Sequence, residues 1–383
     1  MKCRFCKNDL KREYTHSFGN IPMTSNSFTD DELKKQKIVE YELAIVVCDK
    51  CGLIQQFNSP DPEILYSKFR NDNIGELWDR KYSKLSNMIL KNCSEKSTIL
   101  EIGGGNLMLA NEVIKKTNKS ITVIEKNPEL KNKSEKINLF QGFLEDFETN
   151  LKFDLVYSSH VFEHIEDIIT HLKKIKSLLN ENGKMIISFP NFEKWINDSM
   201  DNAFTQEHIT YAFLKNMKDI LASFGFEITE VEEFENHSLF LNSKLTNANI
   251  KKEISNTELF RENLETMKKF WNRFRKVRSY LDETIKNSQI FVFGANSGSQ
   301  ILLKNCLKEA KIICILDNSE MKNEKILYGF DYIVKQPDIL KTIENPREKF
   351  CIIFTGVFVD EIKNQVKKLN KRIKIITKDD IFI

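Results

Sequence analysis

The sequence predicts an α/β protein: a doubly wound core preceded by a small cysteine-based module and followed by a second, smaller α/β domain. Three observations point there. Two C-x-x-C units lie before residue 60, strands and helices alternate from residue 97, and the alternation restarts near residue 289 after a long amphipathic stretch. At 383 residues the chain also exceeds the ~250–300 at which a single core stops growing. The expected division is 1–60, 61–250, 251–287 as a linking helix, and 288–383.

Composition excludes some classes. The 58 Lys+Arg nearly balance the 55 Asp+Glu, leaving +3, so there is no general electrostatic grip on nucleic acid or anionic lipid. No run approaches the ~18 apolar residues of a membrane span. Met1–Lys7 has no apolar stretch after its basic residues, so a reducing, cytoplasmic setting is expected, where cysteines bind metals or lie buried.

Cys3 and Cys6 form one C-x-x-C, and Cys48 and Cys51 the other. Each can place two thiolates on one tight turn, and two such knuckles complete a tetrahedral zinc site. Four thiolates leave no open position, so the zinc is expected to be structural. Val39–Val47 reads as the strand leading into the second knuckle, while His16 follows no knuckle spacing and reads as a surface residue. Cys93, Cys306, Cys314 and Cys351 are isolated and read as small buried hydrophobes.

In the middle region, strands are expected at Ser97–Ile102, Ile121–Glu125, Ile137–Gln141, Phe153–Ser159 and Lys184–Phe189, with helices at Leu107–Lys116 and Glu166–Leu179. Such alternation implies a parallel sheet with its ligand beyond the carboxyl ends of the strands. The first turn, Gly103-Gly104-Gly105, lacks the third glycine of a nicotinamide loop, because Met108 stands there. Glu101 at the strand tip suits a cationic group, such as the amino acid end of S-adenosylmethionine. Glu125, ending the second strand, can accept ribose hydroxyls.

These residues resemble the class I S-adenosylmethionine-dependent methyltransferases over Ile99–Gly105, Ile121–Glu125, Gln141–Asp146 and Phe153–Asp167, the last reading FDLVYSSHVFEHIED. The resemblance implies that Glu101, Gly103 and Gly105 line the methionine part, Glu125 holds the ribose, and Phe143 and Leu144 border the adenine. Leu107 stands where that family often has glycine, and is expected to narrow the loop. His160 and His164, four apart around Glu163, superficially suggest a metal pair. His164 instead reads as a packing and hydrogen-bonding residue and His160 as part of the cofactor pocket.

After Pro190 comes a polar, aromatic stretch ending in Thr205–Tyr211, then a helix at Leu214–Phe224 and strands at Phe226–Val231 and Ser238–Leu245. Glu207-His208 is a candidate acid/base unit, since imidazole titrates near neutrality and a carboxylate can orient it. Thr257–Lys286 reads as an amphipathic helix. The last domain restarts with Gln289–Phe293, the turn Gly294–Ser299, Lys311–Leu316 ending at Asp317, Phe350–Phe354 and the helix Val359–Leu369. Its helix N-terminus could take a phosphate, or the unit could be an inert repeat.

Across nearly the whole chain the order of parts resembles the sugar C-methyltransferases of deoxysugar biosynthesis. The matching stretches are the cysteine knuckles, Asp61–Phe69, Glu207-His208, the FGANSGS turn and Asp360–Ile362. The resemblance implies a nucleotide-linked keto-sugar as substrate, His208 as general base with Glu207 beside it, and a C-terminal domain that helps hold the nucleotide. Departures concentrate at the reacting end: Thr205 replaces a tyrosine, Phe69 stands where an aromatic hydroxyl is expected with Tyr66 close by, and Asn236-His237-Ser238 replaces Gly-Gly-Ser. N- or O-methylation of a modified sugar on the same scaffold is one alternative. A zinc-containing nucleic-acid binder and an inactive scaffold are others.

Overall fold

The computed structural model describes residues 1–35, 37–61, 75–128, 130, 133–198, 203–246 and 255–381. Asp61 apart, the Asp61–Phe69 stretch singled out above lies outside the described residues, Tyr66 and Phe69 included.

The central sheet has seven strands, in the order Phe226–Phe234, Ser238–Leu245, Leu179–Pro190, Phe153–Ser159, Ile99–Ile102, Ile121–Glu125, Ile137–Gln141. The last five run parallel. Their apolar runs are buried, with Leu100, Val123, Leu155 and Ile186 among the residues fully hidden, as expected of parallel strands covered on both faces. The chain first winds outward from Ile99–Ile102 to Ile137–Gln141, then returns to place Phe153–Ser159 on the other side. That reversal creates the crevice where ligands bind in open α/β sheets.

The sheet is not parallel throughout. Ser238–Leu245 pairs antiparallel with both Leu179–Pro190 and Phe226–Phe234. The reason is local: Glu235 and Asn236 both have positive φ, 46° and 56°, and His237 N–H closes the turn on Phe234 O at 2.8 Å. A loop this tight can only send the chain back antiparallel. Leu179–Pro190 begins earlier than the expected Lys184, and the helix before it ends at Leu178.

The N-terminal module is woven into the rest. Thr15–Pro22, Glu40–Val47 and Ile54–Gln56 form antiparallel neighbours, and Thr210–Tyr211 supplies the fourth strand. Ser27–Phe28 pairs instead with Ile326–Leu327 of the C-terminal region. The helix Thr257–Ile285 continues the same theme. Its Met267, Phe270 and Trp271 join the N-terminal core around Phe18 and Ile21, while Val277, Leu281 and Ile285 join the C-terminal core.

The C-terminal sheet is all parallel, in the order Val334–Lys335, Lys311–Leu316, Gln289–Phe293, Lys349–Ile353, Lys374–Thr377. Among the described residues no helix is long and apolar enough to cross a membrane.

Candidate functional site

The four knuckle cysteines converge. Cys3 Sγ lies 3.7 Å from Cys51 Sγ, and Cys6 Sγ lies 3.5 Å from Cys48 Sγ. Sulfurs bound at ~2.3 Å to a tetrahedral zinc sit about 3.8 Å apart, so the donor set fits that ion. Hydrogen bonds from Cys3 push the Cys6 and Cys51 thiols up, while its bond with Cys48 holds Cys3 down; a dication at the centre would let all four ionise. His16 stands apart, stacked on Trp271 at 5.3 Å, and is half-buried rather than the surface residue expected.

At the carboxyl edge of the central sheet a cavity of about 310 Å³ is lined by Gly103, Gly105, Glu125, Phe143, Leu144, His160, His164 and Glu207, with others. Six of the expected cofactor residues are thus brought together. Glu101 is not among the lining side chains. It is fully buried, accepts the Tyr157 O–H at 3.1 Å, and burial pushes its carboxyl up to about 8.

The turn is built for close approach. Gly103 has φ 75°, and a Cβ there would meet Val161 Cγ2 at 2.2 Å, whereas nothing lies within 4 Å of the corresponding point at Gly105. Glu125 is held in place by two backbone donors: Gly105 N–H to Oε2 and Asn127 N–H to Oε1, each at 2.8 Å. A carboxylate has about four lone-pair sites, so hydroxyl donors can still be accepted. Leu107 does not narrow the loop. It adopts φ 62°, the conformation a glycine would take freely, and its side chain is fully buried in the core with Leu109 and Val113.

The expected acid/base corner adjoins this cavity. His208 packs edge-on against His164 with centroids 5.1 Å apart, and against Phe192 at 5.4 Å. The ligand atoms of Glu163, His164 and His208 all lie within 4.8 Å of one another. His164 Nδ1 is 2.8 Å from the Glu207 carbonyl oxygen, to which it donates. His164 thus packs and hydrogen-bonds as expected, and it also borders the cavity. His160, in a left-handed conformation (φ 56°), reaches Glu163 Oε1 at 3.2 Å and Ser238 Oγ at 2.9 Å. Ser238 Oγ in turn meets His237 Nδ1 at 2.7 Å.

Sequence reasoning missed three contributors. Gln56, fully buried, sends its amide to the carbonyls of Thr205 and His208, each at 2.8 Å. The N-terminal module thereby sets the loop that carries His208. Lys81 is fully buried, with Nζ donating to Ser159 Oγ at 3.0 Å and lying 4.4 Å from the Trp78 ring centroid; burial holds it well below the usual lysine range. Glu163 is fully buried, and burial pushes its carboxyl up to about 8. Lys81 and Gln56 carry no motif and could not have been found from one sequence. Glu163 sat in view between the two histidines.

Residues 70–231 match the family described as "Methyltransferase domain", and residues 3–66 match the family described as "Putative zinc binding domain". No curated protein matches the sequence significantly. Among solved structures, the chain is similar to the 1,6-didemethyltoxoflavin-N1-methyltransferase of Burkholderia thailandensis, at 15% identity over 44% of this chain and 78% of that one, with a TM-score of 0.36. It is also similar to the N-methyltransferase NodS of Bradyrhizobium japonicum, at 15% identity over 47% and 95%, with a TM-score of 0.37. The methyltransferase domain match spans the glycine turn, Glu125 and the cavity described above.

Proposed function

We propose that this S-adenosylmethionine-dependent methyltransferase acts on a sugar, nucleotide-linked or otherwise modified, and methylates it at a carbon beside a keto group. The observation that carries this reading is one cavity bordered at once by the glycine turn with Glu125 and by Glu207 and His164, with His208 packed on His164.

In this reading Gly103 and Gly105 let the backbone approach the methionine part, Glu125 holds the ribose, and Phe143 and Leu144 border the adenine. His160 closes the same pocket, and Glu101 acts from beneath the turn. When bound, S-adenosylmethionine supplies a sulfonium methyl group. His208, with Glu207 beside it, removes the proton beside the ketone as general base. The enolate so formed would be aligned in this cavity to accept, at its carbon, the methyl group that the bound cofactor would supply, its leaving group being the neutral thioether. Cys3, Cys6, Cys48 and Cys51 hold zinc in a structural role, since Gln56 links their module to the loop bearing His208.

A second reading transfers the methyl to nitrogen or oxygen of a modified sugar. It is favoured by Thr205, whose hydroxyl accepts a local bond from His208 N–H at 3.1 Å where a tyrosine would extend a phenol. Labelled S-adenosylmethionine with candidate sugars, read by mass spectrometry, tests both. Exchange of the acceptor C–H in deuterated water is expected for carbon methylation. Methyl on nitrogen or oxygen without exchange overturns the first reading.

A further inference from the structure

Four of the chain's six histidines crowd the carboxyl edge of the central sheet: His160, His164, His208 and His237. Three of them, His160, His164 and His208, share their neighbourhood with the Glu163 carboxylate. We propose that Glu163, His164 and His208 form a second metal site, for a first-row divalent cation, at the acceptor end of the methyl-transfer cavity.

Four observations carry it. The ligand atoms of the three side chains lie within 4.8 Å of one another. Atoms bound at ~2.1 Å around one ion sit about 3.0–3.4 Å apart, so roughly an ångström of closure completes the site. The Glu163 carboxylate is fully buried; among the described residues its close contact is His160 Nδ1, 3.2 Å from Oε1, and neither oxygen receives a contact with hydrogen-bond geometry. A carboxylate hidden from water with so few partners is stabilised by a cation or a proton. His164 donates from Nδ1 to the Glu207 carbonyl at 2.8 Å, which leaves Nε2 as the lone-pair nitrogen, as outer-shell bonds do for ligating histidines. His160 Nδ1, 3.2 Å from Glu163 Oε1, supplies a comparable outer contact to the carboxylate.

The backbone fixes the third ligand. Ile209 N–H donates to Glu163 O at 2.9 Å, and Gln56 holds His208 O at 2.8 Å. His208 is therefore pinned beside Glu163 although the two lie far apart along the chain. Two imidazoles and one carboxylate with open positions suit manganese, iron, cobalt or zinc better than calcium or magnesium, which prefer all-oxygen donors.

The inference rests on the proposed methyl transfer at this cavity and divides its labour. A cation here polarises an acceptor oxygen, so the adjacent proton leaves more readily. With the cation bound, His208 is its ligand in place of the base role given above, and Glu207, which lines the same cavity, takes the proton instead.

Equilibrium dialysis of the full chain, with its cysteine-bound zinc retained, against Mn²⁺ or Co²⁺ tests this. One equivalent of added metal beyond zinc is expected, with a Co²⁺ spectrum lacking thiolate charge-transfer bands. Glu163→Gln is expected to lose that equivalent, or weaken its binding at least 10-fold, while keeping the zinc. Absence of the second equivalent, or its survival undiminished in Glu163→Gln with a native melting curve, overturns the proposal. Calorimetry with S-adenosylmethionine is run alongside. Metal uptake without cofactor binding defeats the methyltransferase reading and leaves the metal site standing; cofactor binding and methyl transfer without metal uptake do the reverse.

Discussion

The two parallel sheets carry nearly the same local pattern and put it to different use. In each, the first strand runs into a glycine-containing turn and a helix, and the second strand ends at or just before an acid. In the central sheet that acid is Glu125, which accepts Gly105 N–H and Asn127 N–H at 2.8 Å and still borders an open cavity. In the C-terminal sheet it is Asp317, which accepts Ala295 N–H at 2.8 Å and Ser319 N–H at 2.9 Å. There, however, Lys322 Nζ sits 3.4 Å from Asp317 Oδ2 and 3.1 Å from Ala295 O. The helix that follows is sealed: Ser297, Gly298, Ser299 and Gln300 are all buried. Gln300 bonds to Thr24 O and Tyr328 O at 2.9 Å, and Gln206 reaches Gln300 Oε1 at 2.6 Å. The two glycine turns therefore differ in what covers them.

The largest contrast should come from the paired acids. Glu125→Ala is expected to weaken S-adenosylmethionine binding roughly 100-fold, in line with loss of charge-assisted hydrogen bonds, while Asp317→Ala leaves it unchanged in the same calorimetry. Equal losses in both variants would erase the distinction between the sheets.

Next in size is Gln56→Ala. Without the amide that grips Thr205 O and His208 O, the acceptor corner should shift, lowering kcat about 10- to 100-fold. The cofactor Kd should stay put, because Gln56 does not border the cofactor turn. A change in Kd alone would place Gln56 in the wrong half of the site.

On the sealed side, Gln300→Ala leaves buried carbonyls without their donor. A loss of about 1–3 kcal/mol in stability is expected, read as a lower denaturant midpoint with cofactor affinity intact. If instead the variant gains affinity for inorganic phosphate without losing stability, the second turn is a latent site and the contrast weakens.

The smallest effect concerns the open sheet's buried lysine. Burial holds Lys81 well below its ordinary 10.5, so between its folded and unfolded values only the unfolded chain is protonated. Folding stability from this group is complete above the unfolded value and is lost as pH falls toward the folded one. Lys81→Met removes that loss, so it should melt a few degrees higher than the parent near pH 7, with the gap closing as pH approaches ~10.5. A gap that stays constant from pH 7 to 10 would mean Lys81 carries no such penalty.

Much of the fold was legible because it follows from local patterning. Ile121–Glu125, Ile137–Gln141, Phe153–Ser159, Ser238–Leu245 and Val359–Leu369 lie where apolar periodicity places them. The cysteine pairs announced their own meeting, since four thiols at two C-x-x-C spacings have one economical geometry. A nucleoside-cofactor core was legible from a glycine turn and a strand-end acid about twenty residues apart, and its methyltransferase character from the family resemblance over Phe153–Asp167.

The rest depended on contacts that no local pattern encodes. That Glu101 is buried under the turn, that Ser27–Phe28 pairs with Ile326–Leu327, and that Gln56 holds the His208 loop each involve partners far apart in sequence. The α/β class, the two Rossmann-like units, the cysteine knuckles and the glycine turn could all be read from the amino acids alone, because propensity, periodicity and ligand spacing act over a few residues. Which glycine turn stays open and which is sealed, and the meeting of Glu163 with His164 and His208, came into being with the packed chain. Burial and hydrogen-bond satisfaction are properties of what packs across a surface, and they exist only once the chain has folded.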